Sequence, residues 1–137
     1  MLGSAAALPS RVEIERGQAM PYVNYVEFNS GDLEASTKFY KEVFKWDPQP
    51  WGAEDYFLAA HGEEAGIDAG FTTSQDGQPL TVATITVDDL EGYMGRVIFA
   101  GGEIVVPKFT IPGVGHACYF TDTTGMIVGL HQPETSA

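Results

Sequence analysis

The sequence predicts an α+β domain made of two copies of a β-α-β-β-β module, whose curved sheets pair around a cup-shaped cavity. Three observations carry that expectation. The run NYVEFNSGDLEAS from Asn24 is echoed by VATITVDDLEGY from Val82, and the two capping residues, Asp32 and Asp89, stand 57 positions apart (89 − 32). In each copy Asp-Leu-Glu follows a strand-like run and opens a helix-like one, and each helix is followed by short β-like pieces between turn residues. A chain of 137 residues with 44% hydrophobic side chains is the size of one domain with a real core. A half that cannot cover its own sheet face is stabilised by pairing with its copy, leaving the helices on the outer faces.

Residues 1–20 are expected to be a peripheral extension to a single domain over 21–133. Met20 is a candidate alternative start, and AAALP is too short and lacks the basic leader of a signal peptide. Module one covers about 21–75. Its first strand is YVNYVEFN, where alternation sends Tyr25 and Glu27 to one face and Tyr22, Val26 and Phe28 to the other. Asp32 is the expected N-cap of LEASTKFYKEVFKW, with Leu33, Tyr40, Val43 and Phe44 as an apolar stripe at helical spacing. WDPQPW, DYFLAA and GIDAGF follow, the last two as strands. Module two covers about 79–133. LTVATITV is its strand, Asp89 caps LEGYMGRVIFA, and Gly101-Gly102 supplies the left-handed residue that ends a helix. EIVVP, HACYFTD and GMIVGLHQ are the remaining strands, with TIPGVG as a loop and DTTG as a tight turn.

Charge narrows the function classes. Nineteen acidic against seven basic residues give a formal charge of −12, which repels a phosphate backbone and an anionic membrane surface, so neither nucleic acid nor membrane is an expected partner. The single cysteine, Cys118, provides no intramolecular disulfide and fits a reducing, cytoplasmic compartment. No run of residues is long and apolar enough to span a bilayer.

Three stretches, YVEFNSGDLEASTKFYKEVFKW, ITVDDLEGYMGRVIFAGGEIVVPK and IPGVGHACYFTDTTGMIVGLHQ, together resemble the vicinal oxygen chelate superfamily, the glyoxalase/bleomycin-resistance/dioxygenase proteins. The resemblance covers about Tyr22 to Gln132. It rests on a helix entry beginning Asp-Leu, an Ala-Gly-Gly helix exit and a final Asp-x-x-Gly hairpin, in that order. It implies paired βαβββ modules around a cup-shaped site, often in a homodimer whose modules can be exchanged between chains. Metal-using relatives hold a divalent ion with His, Glu or Gln on the first and last strand of each module. Counting back seven residues from each capping Asp puts those places at Tyr25 and Val82. The last-strand places fall at Gly129 and, by the shared glycine of IDAGF and MIVGL, at Gly70, a shift bringing Asp68 into play. Two glycines and a valine leave the usual metal site without ligands, so no metal and no other cofactor is expected.

What remains for chemistry is a short set of side chains. Glu27 shares the inward face of Tyr25, where a carboxylate can serve as general base or acid, hold a ligand hydroxyl or amine, or simply be satisfied by Tyr25. His131 shares the face of Gly129 and is either a ligand contact or a solvated histidine near the C-terminus. His116 follows the glycine loop and is a candidate polar contact at the pocket edge or a structural histidine. Asp68 is a pocket carboxylate or a polar strand residue, and His61 an exposed turn residue. Lys108, beside Phe109, is a solvated lysine or an attractor of anions. Cys118 lacks a neighbouring base and reads as a small buried hydrophobe. Trp46, Trp51, Tyr56, Phe57, Phe71 and Phe109 offer flat walls, two or three of them for a ligand and the rest for the core; Trp51, Phe71 and Phe109 join the expected binding set.

Two function classes follow. One is a metal-independent binding module for a small, partly apolar or aromatic molecule. The other is a glyoxalase-related lyase, isomerase or dioxygenase-like enzyme using Glu27 and a histidine, or a displaced metal site.

Overall fold

The computed structural model of the chain describes residues 20–63 and 65–134. The expected N-terminal extension therefore lies, apart from Met20, outside the described residues. The element order is β1 (Tyr22–Ser30), α1 (Leu33–Phe44), β2 (Gln49–Trp51), β3 (Ala53–Ala59), β4 (Asp68–Thr73), β5 (Leu80–Thr86), α2 (Leu90–Phe99), β6 (Glu103–Ile111), β7 (Gly115–Thr121) and β8 (Ile127–Pro133). This is β-α-β-β-β written twice. Two details differ from expectation: Gln49–Trp51 forms a short edge strand, and β6 runs on through Lys108 to Ile111, paired with β7 as far as Ile111↔Gly115, so that only residues 112–114 of the expected loop make the turn.

The caps behave as their chemistry requires. The Asp32 carboxylate accepts the Ala35 N–H at 3.1 Å and the Asp89 carboxylate accepts the Gly92 N–H at 3.1 Å, satisfying donors that a helix start leaves open. Gly101, at φ 102°, takes the left-handed turn after α2. The Gln132 side chain then ties that helix to β8 by accepting the Leu90 N–H at 2.8 Å.

The eight strands among the described residues form one sheet in the order β2-β3-β4-β1-β5-β8-β7-β6. The modules join through the antiparallel β1·β5 pair, in which Tyr25 faces Thr84, Val26 faces Ala83 and Glu27 faces Val82. Each first strand also runs parallel to its module's last: Glu27 pairs with Gly70, and Thr84 pairs with Gly129. Since Thr84 stands 57 residues after Glu27, Gly70 and Gly129 are equivalent positions, as their shared glycine suggested.

Each module keeps its own core beneath its helix. In module one Phe71, Ala69 and Ala59 are packed by Phe28, Leu33, Tyr40 and Phe57. In module two Leu90, Val87, Cys118 and Leu130 are packed by Tyr93, Met94, Ile104 and Phe120. Burying these apolar surfaces leaves the opposite sheet face free to line a cavity.

Candidate functional site

The concave face encloses a cavity of about 540 Å³ that spans the seam between the modules. β1 places Tyr25 and Glu27 on it, while Phe28, one residue on, turns into the core, as alternation demands. β3 adds Tyr56, β7 adds Tyr119, and Thr84, Gly129 and His131 complete the floor.

At its centre is one carboxylate. The Tyr56 hydroxyl donates to Glu27 Oε2 at 3.1 Å, and the Tyr119 hydroxyl donates to the same carboxylate at 3.1 Å from Oε1 and 3.3 Å from Oε2. Tyr25 and Tyr56 also meet hydroxyl to hydroxyl. A phenol has a single hydrogen, so with that of Tyr56 committed to Glu27, Tyr25 is the donor in this pair. The chain of donation runs from Tyr25 to Tyr56 to Glu27, with Tyr119 arriving from the other module. Glu27 and Tyr119 are 92 residues apart in sequence, and their contact fastens one module to the other.

Burial, with Glu27 close by, makes ionising these phenols unfavourable. Desolvation is the main cause at each: Tyr25 is pushed up to about 12, and Tyr56 and Tyr119 are raised further. A phenol whose pKa in the folded protein exceeds its unfolded value of 10.0 stabilises the fold fully below pH 10, and that contribution is lost as pH rises through the folded value. Thermal stability is therefore expected to fall as pH is raised above 10. Three of the six tyrosines should yield phenolate absorbance only together with unfolding. Ionisation of those three near pH 10 in a still-folded protein would contradict the buried network.

Of the expected contacts, Tyr25, Glu27, Trp51, Phe109 and His131 line the cavity. Trp51 lies against Tyr56, with ring centroids 6.3 Å apart, and Phe109 stacks on Tyr119 at 6.1 Å, so an aromatic wall flanks each of these phenols. The His131 ring is set against the Val114 backbone, its Nε2 is buried without a hydrogen-bond partner, and desolvation lowers its pKa. Asp68 also faces the cavity, accepting the His61 backbone N–H at 2.9 Å, with His61 Nε2 3.5 Å away.

Two expected contacts are elsewhere. Phe71 follows Gly70 by one residue, so its side chain is on the opposite face, fully buried against Phe28 and Tyr40. His116 alternates with Ala117 and Tyr119, and so turns to the outer face, where its Nδ1 is 3.0 Å from Thr110 Oγ1. Phe57 likewise packs against the core of module one, and Trp46, itself exposed, covers that core with an edge contact to Phe71 at 6.2 Å. Lys108 pairs with Glu91 of α2 at 2.8 Å and is not among the cavity's lining residues, and Cys118 is buried, its thiol pushed up by desolvation.

Tyr119 is the residue that sequence reasoning misses, and Tyr56, expected only as an aromatic wall, donates to Glu27. The D-T-T-G turn held the missing signal: Asp122 accepts N–H groups of Thr124 and Met126 there, and the resulting hairpin puts Tyr119 directly across from Gly129.

The family profile described as Glyoxalase/Bleomycin resistance protein/Dioxygenase superfamily matches residues 22–130. The chain belongs to that superfamily. It is 33% identical over 132 residues to proteins of Mycobacterium bovis and Mycobacterium tuberculosis provisionally named glyoxylase CFP32, the match covering 91% of this chain and 49% of theirs. The chain thus spans about half the length of these curated relatives. Among solved structures, the Mn(II)-bound glyoxalase from Novosphingobium aromaticivorans superposes with a TM-score of 0.59 at 17% identity, covering 84% of this chain and 42% of that one. A methylmalonyl-CoA epimerase from Streptomyces coelicolor superposes with a TM-score of 0.60 at 9% identity, covering 82% of this chain and 97% of that one. At such identities the superpositions establish the superfamily fold. Among the described residues, no group of three or more His, Cys, Asp or Glu side chains is placed to hold a metal ion, and no helix is long and apolar enough to cross a membrane.

Proposed function

We propose that this superfamily member is a metal-independent binding module that captures a small, partly apolar or aromatic molecule in its cup, with Glu27 as the polar anchor. The observation that carries this reading is the pair of phenol hydrogen bonds converging on Glu27 beside Gly70. A Cβ added at Gly70 would collide with the Tyr25 and Tyr56 hydroxyls, and one added at Gly129 would lie 2.7 Å from Thr84 Oγ1. Val82, only 2% exposed, fills the third place. One phenol, one apolar side chain and two glycines do not fit a divalent ion, which needs several fixed oxygen, nitrogen or sulfur ligands. The aromatic walls and partly apolar lining suit a flat organic ligand.

The test uses tyrosol, a neutral phenolic alcohol, as the probe. A ligand bound only by the folded state raises apparent stability, by about 2.7 kcal/mol at a hundredfold excess over its Kd. Tyrosol is expected to raise the Tm of the wild type, with Glu27→Gln and Tyr25→Phe each reducing the shift. Unchanged shifts in both variants would move the site elsewhere. Native mass spectrometry of protein purified without chelator is expected to show no stoichiometric divalent metal; about one per chain would overturn the metal-free reading.

The proposal includes a homodimer, read in the same spectrum. It also includes a cytoplasmic location, which a single buried thiol supports, and no nucleic-acid or membrane partner, in keeping with the charge of −12. The enzymatic alternative keeps Glu27 as acid or base, with His131 rather than His116 as the histidine on the cavity; the exposure of Glu27 to the cavity is what favours it. The name glyoxylase of the mycobacterial relatives belongs to proteins of twice this length and reaches this chain only by analogy.

A further inference from the structure

We propose that the cavity selects by charge: it takes an organic amine in its cationic form, with the ammonium on Glu27 and the apolar body between the aromatic side chains, and it turns away carboxylate and phosphate ligands. This rests on the reading above, that the cup holds a small molecule without a metal.

The O–H groups of Tyr56 and Tyr119 are spent on Glu27, and that of Tyr25 on Tyr56. The cluster at the centre of the cavity therefore has acceptors to offer and no free phenol donor. A carboxylate has about four lone-pair sites, and the two phenols leave room on Glu27 for a donor arriving from the cavity. An ammonium brings up to three N–H donors, whereas a carboxylate or phosphate brings none to meet it.

Among the described residues lining the cavity there is no lysine or arginine; Asp68 adds a second carboxylate, with His61 Nε2 3.5 Å from it, and the remaining histidine, His131, has its pKa lowered by desolvation, which favours the neutral ring. Lys108, the cation nearest in sequence to the wall residue Phe109, is paired with Glu91. The whole chain carries a formal charge of −12, so its long-range field also draws cations and repels anions. Trp51 and Phe109 flank Tyr56 and Tyr119, and aromatic faces attract a cation placed over them.

Tyramine, tyrosol and para-hydroxyphenylacetate share a ring and differ at the chain end: ammonium, hydroxyl and carboxylate. Titration of the full chain with each, followed by NMR shifts of cavity residues, is expected to show tyramine binding at least about tenfold tighter than para-hydroxyphenylacetate, with tyrosol between them. In Glu27→Gln, which keeps the shape and removes the charge, the preference for the amine over the alcohol should shrink to the smaller part that Asp68 and the aromatic walls supply. If the wild type binds the acid as well as the amine, charge selection is overturned; tyrosol binding in the cup would then still uphold the capture reading. If none of the three shifts cavity resonances, both fall. If Glu27→Gln keeps the amine preference undiminished, the ammonium is not on Glu27 and the proposal fails. The ratio of amine to acid in the wild type decides without any variant, so a misfolded Glu27→Gln would not shelter the proposal.

Discussion

Phe71→Ala is expected to cost about 3–5 kcal/mol of unfolding free energy, the range for deleting a buried aromatic from a close-packed core. Phe71 is fully buried, stacks on Phe28 with centroids 5.0 Å apart, and packs on Tyr40 at 5.4 Å and Trp46 at 6.2 Å. It is the side chain through which α1 and its C-terminal Trp46 grip β4 and β1. Removing it leaves those rings facing a void that they cannot close without giving up their contacts with one another. Set against a total stability of about 5–15 kcal/mol for an ordinary domain, the loss removes at least about a fifth of the total, and at the low end of that range it brings the variant near its unfolding midpoint at room temperature. Urea denaturation of wild type and variant measures it. A cost under about 1 kcal/mol would mean that Phe71 is not core, and would reopen its place on the ligand face.

The same residue explains what was legible in the sequence. The two modules were, because their signals are local: an N-cap three residues before the N–H it holds, a helix stripe, a glycine after the helix. The inward placement of Tyr25 and Glu27 was also legible, since it needs only a ruler from the cap and the period of a strand. That same period excludes Phe71 once Gly70 is inward, and excludes His116 once Cys118 is assigned to the core, so both misplacements come from reading chemistry before parity. Tyr119 is a different matter. Its partner lies 92 residues away, and their meeting depends on the β1·β5 seam, the parallel β5·β8 pair and the β7·β8 hairpin together. Composition says nothing about such a register. The length of β6 escaped for a related reason: its last residues are held by the partner strand, whatever turn propensity they carry.

Gly70→Ala should destabilise the protein by about 1–3 kcal/mol, the usual cost of forcing one extra carbon into a filled space. The added Cβ would overlap the Tyr25 and Tyr56 hydroxyls and lie 2.7 Å from Tyr56 Cζ, so both rings must swing away from Glu27. The loss should therefore appear twice, in thermal stability and in the tyrosol-induced Tm shift. Its origin can be isolated by coupling. In a Tyr25→Phe/Tyr56→Phe background the oxygens that collide are gone, so Gly70→Ala should cost less there than in the wild type, although Cζ still limits the recovery. An equal cost in both backgrounds would mean that the phenols do not occupy this space. Gly129→Ala is the control from the other module: its Cβ would meet the Thr84 hydroxyl at 2.7 Å, a group that can rotate aside, so it should be milder. The difference between the two glycines follows from Glu27 and Thr84 occupying equivalent places in the repeat. In module one the space beside Gly70 is filled by the phenols that serve a carboxylate, and a longer side chain at Gly70 could enter it only by displacing the hydroxyls of Tyr25 and Tyr56 from the Glu27 cluster.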